Sequence, residues 1–74
     1  MSVAKVIEII SRSKDSFDDA VKKGVARAAA TVDGVTSAWV QDQTVTVSNG
    51  KISEYSVKLK VTFLLKEPKK KKGK

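Results

Sequence analysis

The sequence of 74 residues contains no cysteine and no histidine. These absences exclude disulfide bonds and the structural zinc sites that need thiolate or imidazole ligands. A domain of this length buries only about 60% of the surface that its unfolded chain exposes, so it usually needs a further source of stability. The sources left are a cation held by carboxylates and association with other copies of the chain, and we favour self-association.

The sequence also lacks the residues on which most catalytic sites depend. Without cysteine or histidine, the commonest nucleophile and the commonest general base are both missing. The four glycines do not form a phosphate-binding loop. We therefore predict that the protein is not an enzyme.

Long apolar runs are absent as well. No segment reaches the roughly 18 apolar residues that a membrane-spanning helix needs. The first apolar run, within residues 1–11, is interrupted by Glu8 and is followed by no small-residue cleavage site, so we predict no signal peptide. These features favour a cytoplasmic protein without a membrane partner.

The positive charge is concentrated at one end of the chain. The net charge is +7, and Lys69–Lys72 with Lys74 supply five of those charges, so residues 1–67 carry 7 − 5 = +2. We predict a folded domain at 1–67 and a disordered lysine-rich tail at 68–74. The tail gives an alternative role, salt-dependent binding to an anionic polymer. Nucleic acid is a disfavoured partner, because residues 1–65 contain no aromatic RNA-binding motif and no basic helix.

Hydrophobic periodicity predicts the element order β-α-β-β, which is an α+β fold. The predicted elements are a strand at Val3–Ile10, a polar connector at Ser11–Asp15, a helix from about Phe17 to Val32, and strands at Val35–Val47 and Ile52–Leu65.

Three residues mark the predicted helix. Ser16 is placed to cap its first turn, and Asp19 suits the positive end of its dipole. Gly24 lies within the apolar stripe and costs about 1 kcal/mol in helix propensity relative to alanine. We interpret it as a point where the helix approaches the sheet closely.

The last strand alternates regularly, and its odd-numbered residues should face the helix: Tyr55, Val57, Leu59, Val61, Phe63 and Leu65. The preceding strand changes parity, because Ala38 and Val40 are even whereas Val45 and Val47 are odd. A β-bulge near residues 41–43 would bring all four to the core side. The same parity argument favours a three-residue hairpin loop over a two-residue one.

Trp39 should therefore point away from the helix, together with Ser37. This sheet face would also carry Ser56, Lys58, Lys60 and Thr62. In an isolated protomer the indole would be exposed to solvent. It either fills an interface between protomers, lies over the stem of Lys58 or Lys60, or contacts a bound ligand.

This arrangement resembles the dodecin family over roughly residues 3–65. The resemblance rests on the combined spacing of five segments: KVIEII at 5–10, SFDDA at 16–20, GVARA at 24–28, NGK at 49–51 and YSVKLKVTF at 55–63. It implies a three-stranded antiparallel sheet that partly wraps one helix, and assembly of the chain into a hollow homododecamer.

The resemblance also implies a flavin ligand: riboflavin, FMN or FAD. In the family, flavins stack between tryptophans of two protomers, and a glutamine of the last strand binds the ring. The matching positions here are Ser37 and Ser56, and a hydroxymethyl group offers no π-face. We expect the standard flavin site to be absent or weakened, with Trp39 and Lys58 as the candidates for a shifted site.

The family also includes members that lack the flavin residues and bind calcium. Calcium takes six to eight oxygen ligands, and the acidic residues of this chain are scattered. Asp42, in the predicted bulge, is the candidate metal ligand, since assembly symmetry would bring several copies of it together. An exposed polar bulge is the alternative interpretation of Asp42.

The sequence thus predicts a non-enzymatic, dodecin-like homo-oligomer that binds, stores or buffers a small ligand. Flavin is the ligand that the resemblance implies, and Ser37 and Ser56 weaken that expectation. The first alternative is a flavin-free cage that binds calcium or another cation. The second is an interaction protein that uses its basic tail.

Overall fold

The computed structural model of the protein describes residues 3–66. Its elements are β1 (Ala4–Ser13), α1 (Phe17–Thr31), β2 (Val35–Ser48) and β3 (Lys51–Leu64). The strands form one antiparallel sheet in the order β1-β3-β2. The predicted β-α-β-β fold is confirmed, and the predicted tail at 68–74 lies outside the described residues.

The first strand extends further than predicted. We expected a polar connector from Ser11, but β1 continues to Ser13 and pairs with β3 through Ser11–Val57 and Ser13–Tyr55. The serines are small enough to lie on the sheet face that the helix covers. The connector prediction was wrong because it treated these serines as loop residues.

The start of the helix follows the sequence closely. Ser16 is the N-cap, and its Oγ accepts a hydrogen bond of 3.0 Å from the backbone N–H of Asp19. At the other end, the N–H of Val32 donates to the carbonyl of Ala28 at 2.9 Å. The helix therefore ends at Thr31, one residue before the predicted end.

The core lies between α1 and the middle of β3. Its buried residues are Ala20, Ala28, Val57, Leu59 and Val61. Gly24 is also buried. A Cβ placed on Gly24 would lie 2.8 Å from Leu59 Cδ1 and 2.9 Å from Ser11 Cβ, which confirms that the helix and the sheet approach closely at this residue.

Three irregularities in strand pairing, at Thr36, Gln41 and Ser53, set which side chains face the helix. Gln41 is passed over between the pairs Val40–Leu59 and Asp42–Lys58, so the predicted β-bulge is confirmed. The prediction of a three-residue hairpin loop is wrong, because only Asn49 and Gly50 separate the strands. Their φ values are 53° and 75°. These two positive φ values are typical of a type I′ turn.

A second shift near the hairpin reconciles this short turn with the core. Ser53 is passed over between the pairs Thr46–Glu54 and Val47–Ile52. Its hydroxyl donates to the Thr46 carbonyl at 3.2 Å. Because of this shift, Val45 still lies opposite Tyr55, as parity required. The expectation that Val47 joins the core was wrong, because this residue pairs with Ile52 beside the turn and is 60% exposed.

The end of β1 is fixed to the start of α1 by hydrogen bonds to Ser13. The Ser13 side chain is buried, its hydroxyl donates to the Asp19 carboxylate, and it accepts from the backbone N–H of Asp15 at 2.9 Å. Lys23 Nζ lies 3.0 Å from the same carboxylate. The Ser13 hydrogen bond, followed by that from Lys23, lowers the pKa of Asp19 below its ordinary value of 3.8.

We expect Asp19 to stabilise the fold in a pH-dependent way. A carboxyl whose folded pKa is lowered contributes stability above its unfolded pKa and loses it as the pH falls through the folded pKa. Asp19→Asn should therefore reduce the free energy of unfolding at neutral pH and flatten its acid dependence, and Ser13→Ala should flatten it in part. Urea unfolding at a series of acidic pH values measures this. A variant with an unchanged acid limb would contradict the assignment.

Candidate functional site

The candidate site lies on the sheet face opposite α1, called here the outer face. Because Val57, Leu59 and Val61 face the helix, the alternating residues of β3 and their strand partners face the other way. The outer face comprises four rows, written in the order β1, β3, β2: Val6–Thr62–Ser37, Glu8–Lys60–Trp39, Ile10–Lys58–Asp42 and Arg12–Ser56–Thr44.

Trp39 lies near the middle of the outer face, as the alternation predicted. Its side chain is 60% exposed in the protomer. Lys60 Nζ lies 5.7 Å from the centroid of the ring, within the range of a cation–π interaction. Lys60 therefore contacts one side of the indole. Most of the surface of the indole stays open to a ligand or a neighbouring protomer.

Ser37 and Ser56 lie at opposite ends of this face. Ser37 pairs with Thr62, whereas Ser56 lies six residues earlier on β3, which corresponds to about 20 Å along the strand. A small ligand that contacts both types of residue must take them from two different protomers. Neither residue provides the aromatic ring or the amide group that the resemblance associates with flavin binding.

Asp42 is exposed on the β2 side of the outer face. Its Oδ2 lies 3.9 Å from Lys58 Nζ, at the limit of an ion pair. On the β1 side, Glu8 is opposite Lys60 in the strand pairing, but its carboxylate forms no ion pair with Lys60 or with any further residue of 3–66. Both carboxylates are thus accessible at the two edges of the sheet.

The described residues of one protomer do not assemble a metal site from acidic side chains. Within residues 3–66, no group of three or more acidic side chains is positioned to hold a metal ion. Next to Asp42, the side-chain oxygen Oε1 of Gln41 is buried and has no hydrogen-bond partner in this part of the chain. A cation site that uses Asp42 would need oxygen ligands from further copies.

Sequence reasoning overlooked the contribution of β1 to this face. Val6, Glu8 and Ile10 alternate with Lys5, Ile7 and Ile9, and this parity identifies them as one face of a strand. Val6 and Ile10 are 54% and 55% exposed, so with Trp39 they place three exposed apolar side chains among the polar and charged residues of the outer face. The candidate roles of Ser37, Trp39, Ser56, Lys58 and Asp42 in binding stay predictions.

The described residues include no helix with the length and apolar character that crossing a bilayer requires.

Comparison with known proteins gives consistent results. The sequence model of the family described as Dodecin matches residues 3–66. Calcium dodecin from Mycobacterium tuberculosis is 43% identical over 67 residues, covering 89% of this chain and 93% of that protein. A crystal structure of calcium dodecin from that organism, described as a calcium-chelating immunodominant antigen with a novel calcium-binding site, has a TM-score of 0.77 at 38% identity, covering 93% of this chain and 99% of the other. Dodecin from Streptomyces davaonensis has a TM-score of 0.85 at 27% identity, covering 89% and 97%.

Proposed function

The chain belongs to the dodecin family, and we propose that it forms a hollow homododecamer that binds and buffers calcium without catalysing a reaction. The proposal has two parts, which are the assembly and the identity of the ligand. The proposal of an assembly is argued from the exposed residues of the outer face. The choice of ligand is argued from the flavin-binding residues of the family that this chain lacks.

The main observation in favour of the assembly is the exposure of Trp39. An indole that is 60% exposed, on the same face as the exposed Val6 and Ile10, leaves three large apolar side chains in water on a very small domain. Full burial of each large apolar side chain contributes about 1.5–3 kcal/mol. Contact with neighbouring copies would supply that burial and the stability that the short chain needs.

Calcium is favoured over flavin for two reasons. Ser37 and Ser56 occupy the positions that the family's stacking tryptophan and glutamine would take, so the usual flavin contacts are missing. The relative that is 43% identical is named calcium dodecin. Flavin at a shifted site, with stacking on Trp39 and contact with Lys58, is the second candidate, and it is supported by the open surface of the indole.

Asp42 is the residue that we propose as a calcium ligand. It is exposed at the edge of the outer face, and the ammonium of Lys58 is only loosely associated with it at 3.9 Å. The neighbouring Gln41 has a buried amide oxygen without a partner among the described residues. Amide oxygens also coordinate calcium, and a change of rotamer would bring this one to the surface beside Asp42. Copies of these residues from several protomers would provide the remaining ligands.

Calcium is expected to raise the melting temperature of the purified protein. A ligand that binds only the folded state at a hundred times its Kd stabilises that state by about 2.7 kcal/mol. Asp42→Asn should abolish most of this shift, whereas Asp18→Asn, which removes the same charge from an exposed helix position, should preserve it. Thermal unfolding with calcium, with magnesium and with a chelator measures the effect.

Two outcomes would contradict the calcium assignment. One is a melting temperature that calcium does not change. The other is quenching of riboflavin fluorescence by the protein, lost in Trp39→Ala, because that result would assign the ligand to the shifted flavin site. The cytoplasmic location and the role of the basic tail stay predictions from the sequence.

A further inference from the structure

A groove of about 490 Å³ lies on the other side of the molecule, between α1 and the free edge of β1. β1 is an edge strand, so its outer edge has no neighbouring strand within residues 3–66. This β1–α1 groove is lined by Ile7, Ile9, Ile10, Ser11, Arg12, Lys23, Gly24, Arg27, Ala28 and Thr31. Its volume falls within the range typical of small-molecule sites.

The groove has a basic end and an apolar end. The chain turns back between Ser13 and Phe17, so α1 runs along β1 in the opposite direction, and Gly24 lies against Ser11. Arg12 and Lys23 are therefore at one end. Ile7, Ile9 and Ala28 form the apolar floor toward the other end, which Thr31 closes.

Only one of the three cations at this groove lacks a carboxylate partner among residues 3–66. Lys23 Nζ is 3.0 Å from Asp19, and Arg12 Nε is 3.8 Å from Glu54. Arg27 forms no ion pair with the residues of this part of the chain, and its side chain is exposed beside the apolar floor. A guanidinium presents a planar set of donors that matches the two oxygens of a carboxylate.

We propose that the β1–α1 groove binds a linear aliphatic carboxylate, whose head group pairs with Arg27 while its chain lies on Ile7, Ile9 and Ala28. One unpaired cation selects a ligand with one negative charge, and the elongated apolar floor selects an unbranched chain. The groove shares Ile10 and Arg12 with the edge of the outer face. The contacts proposed for the ligand, with Arg27, Ile7, Ile9 and Ala28, lie outside that face, so the site does not depend on the proposed calcium function.

Calorimetric titration of the full-length protein with decanoate tests this site. Arg27→Gln should weaken binding by about 10- to 100-fold, the range that corresponds to a hydrogen bond to a charged group. The matched control Lys22→Gln removes one positive charge from an exposed helix position outside the groove and should leave binding unchanged. Thr31→Phe should block the apolar end, and decanol should bind more weakly than decanoate.

Three results would overturn the proposal. The first is the absence of decanoate binding to the folded protein. The second is equal weakening by Arg27→Gln and Lys22→Gln, which would indicate general attraction to a basic protein. The third is a lower subunit number in Arg27→Gln and Thr31→Phe without decanoate binding to the unmodified protein, which would assign the groove to an interface between copies.

Discussion

Replacing Gly24 with alanine is expected to destabilise the protein by about 1–3 kcal/mol, the usual cost of overpacking a core. The added Cβ would lie 2.8 Å from Leu59 Cδ1 and 2.9 Å from Ser11 Cβ. Leu59 can move its terminal methyl group slightly, but the Cβ of Ser11 is fixed to the backbone of β1. The steric cost must exceed the gain of about 1 kcal/mol that alanine brings in helix propensity.

A double-mutant cycle with Ser11→Gly identifies the cause of this destabilisation. The second substitution removes the Cβ that the new methyl group would contact, so Gly24→Ala should cost less in that background. The reciprocal control is Ala29→Gly at an exposed helix position, where only helix propensity changes and the expected loss is about 1 kcal/mol. Chemical denaturation gives all the free energies of unfolding. If Gly24→Ala proves stabilising, the close approach between α1 and β1 is incorrect.

The second large effect is expected from Val6→Asp, which should dissociate the proposed assembly. Val6 is 54% exposed on the outer face, opposite Thr62, so an aspartate there has no lysine directly across the strand pair. A carboxylate buried without a partner at an interface costs several kcal/mol, and about 3 kcal/mol already corresponds to a hundredfold change in an association constant. Light scattering coupled to size-exclusion chromatography would detect the smaller species.

The matched control for this experiment is Ala29→Asp, which adds the same charge to the exposed side of α1. Ala29 is remote from the outer face, and its substitution should leave the subunit number unchanged. Val6→Thr keeps a β-branched side chain of similar volume and should weaken the assembly less than aspartate does. Equal behaviour of Val6→Asp and Ala29→Asp would show that the outer face is not an interface.

The placement of Trp39 shows how much the sequence could predict. The mismatch of parity between Val40 and Val45 predicted the bulge at Gln41, and alternation with the core-facing Ala38 and Val40 predicted the direction of the indole. The parity argument predicted the wrong loop length at the hairpin. A bulge at Ser53 shifts the alternation of the strand by one residue, which is the same effect that a longer loop would have. The end of β1 was also predicted wrongly, because the polar composition of residues 11–15 suggested a loop. Ser11 and Ser13 are strand residues through their pairing with β3, a long-range contact that local composition does not encode.

For the candidate site, the sequence predicted which residues share a face but not how a complete site would be formed. Alternation identifies which residues share the outer face, and that placed Ser37, Trp39, Ser56 and Lys58 together. It does not reveal which residues of different copies would meet, and the two serine positions lie about 20 Å apart along β3. The ligands of the proposed cation at Asp42 would be determined by the symmetry of the proposed assembly, which a single sequence does not encode.

Sedimentation velocity of the unmodified protein at micromolar concentration tests the central claim, that neighbouring copies cover the exposed indole. Twelve chains of 8.0 kDa give a particle of about 96 kDa. We predict that species, together with a tryptophan fluorescence maximum shifted to shorter wavelength than that of an exposed indole. A folded particle of 8.0 kDa with solvent-exposed tryptophan emission would contradict the account.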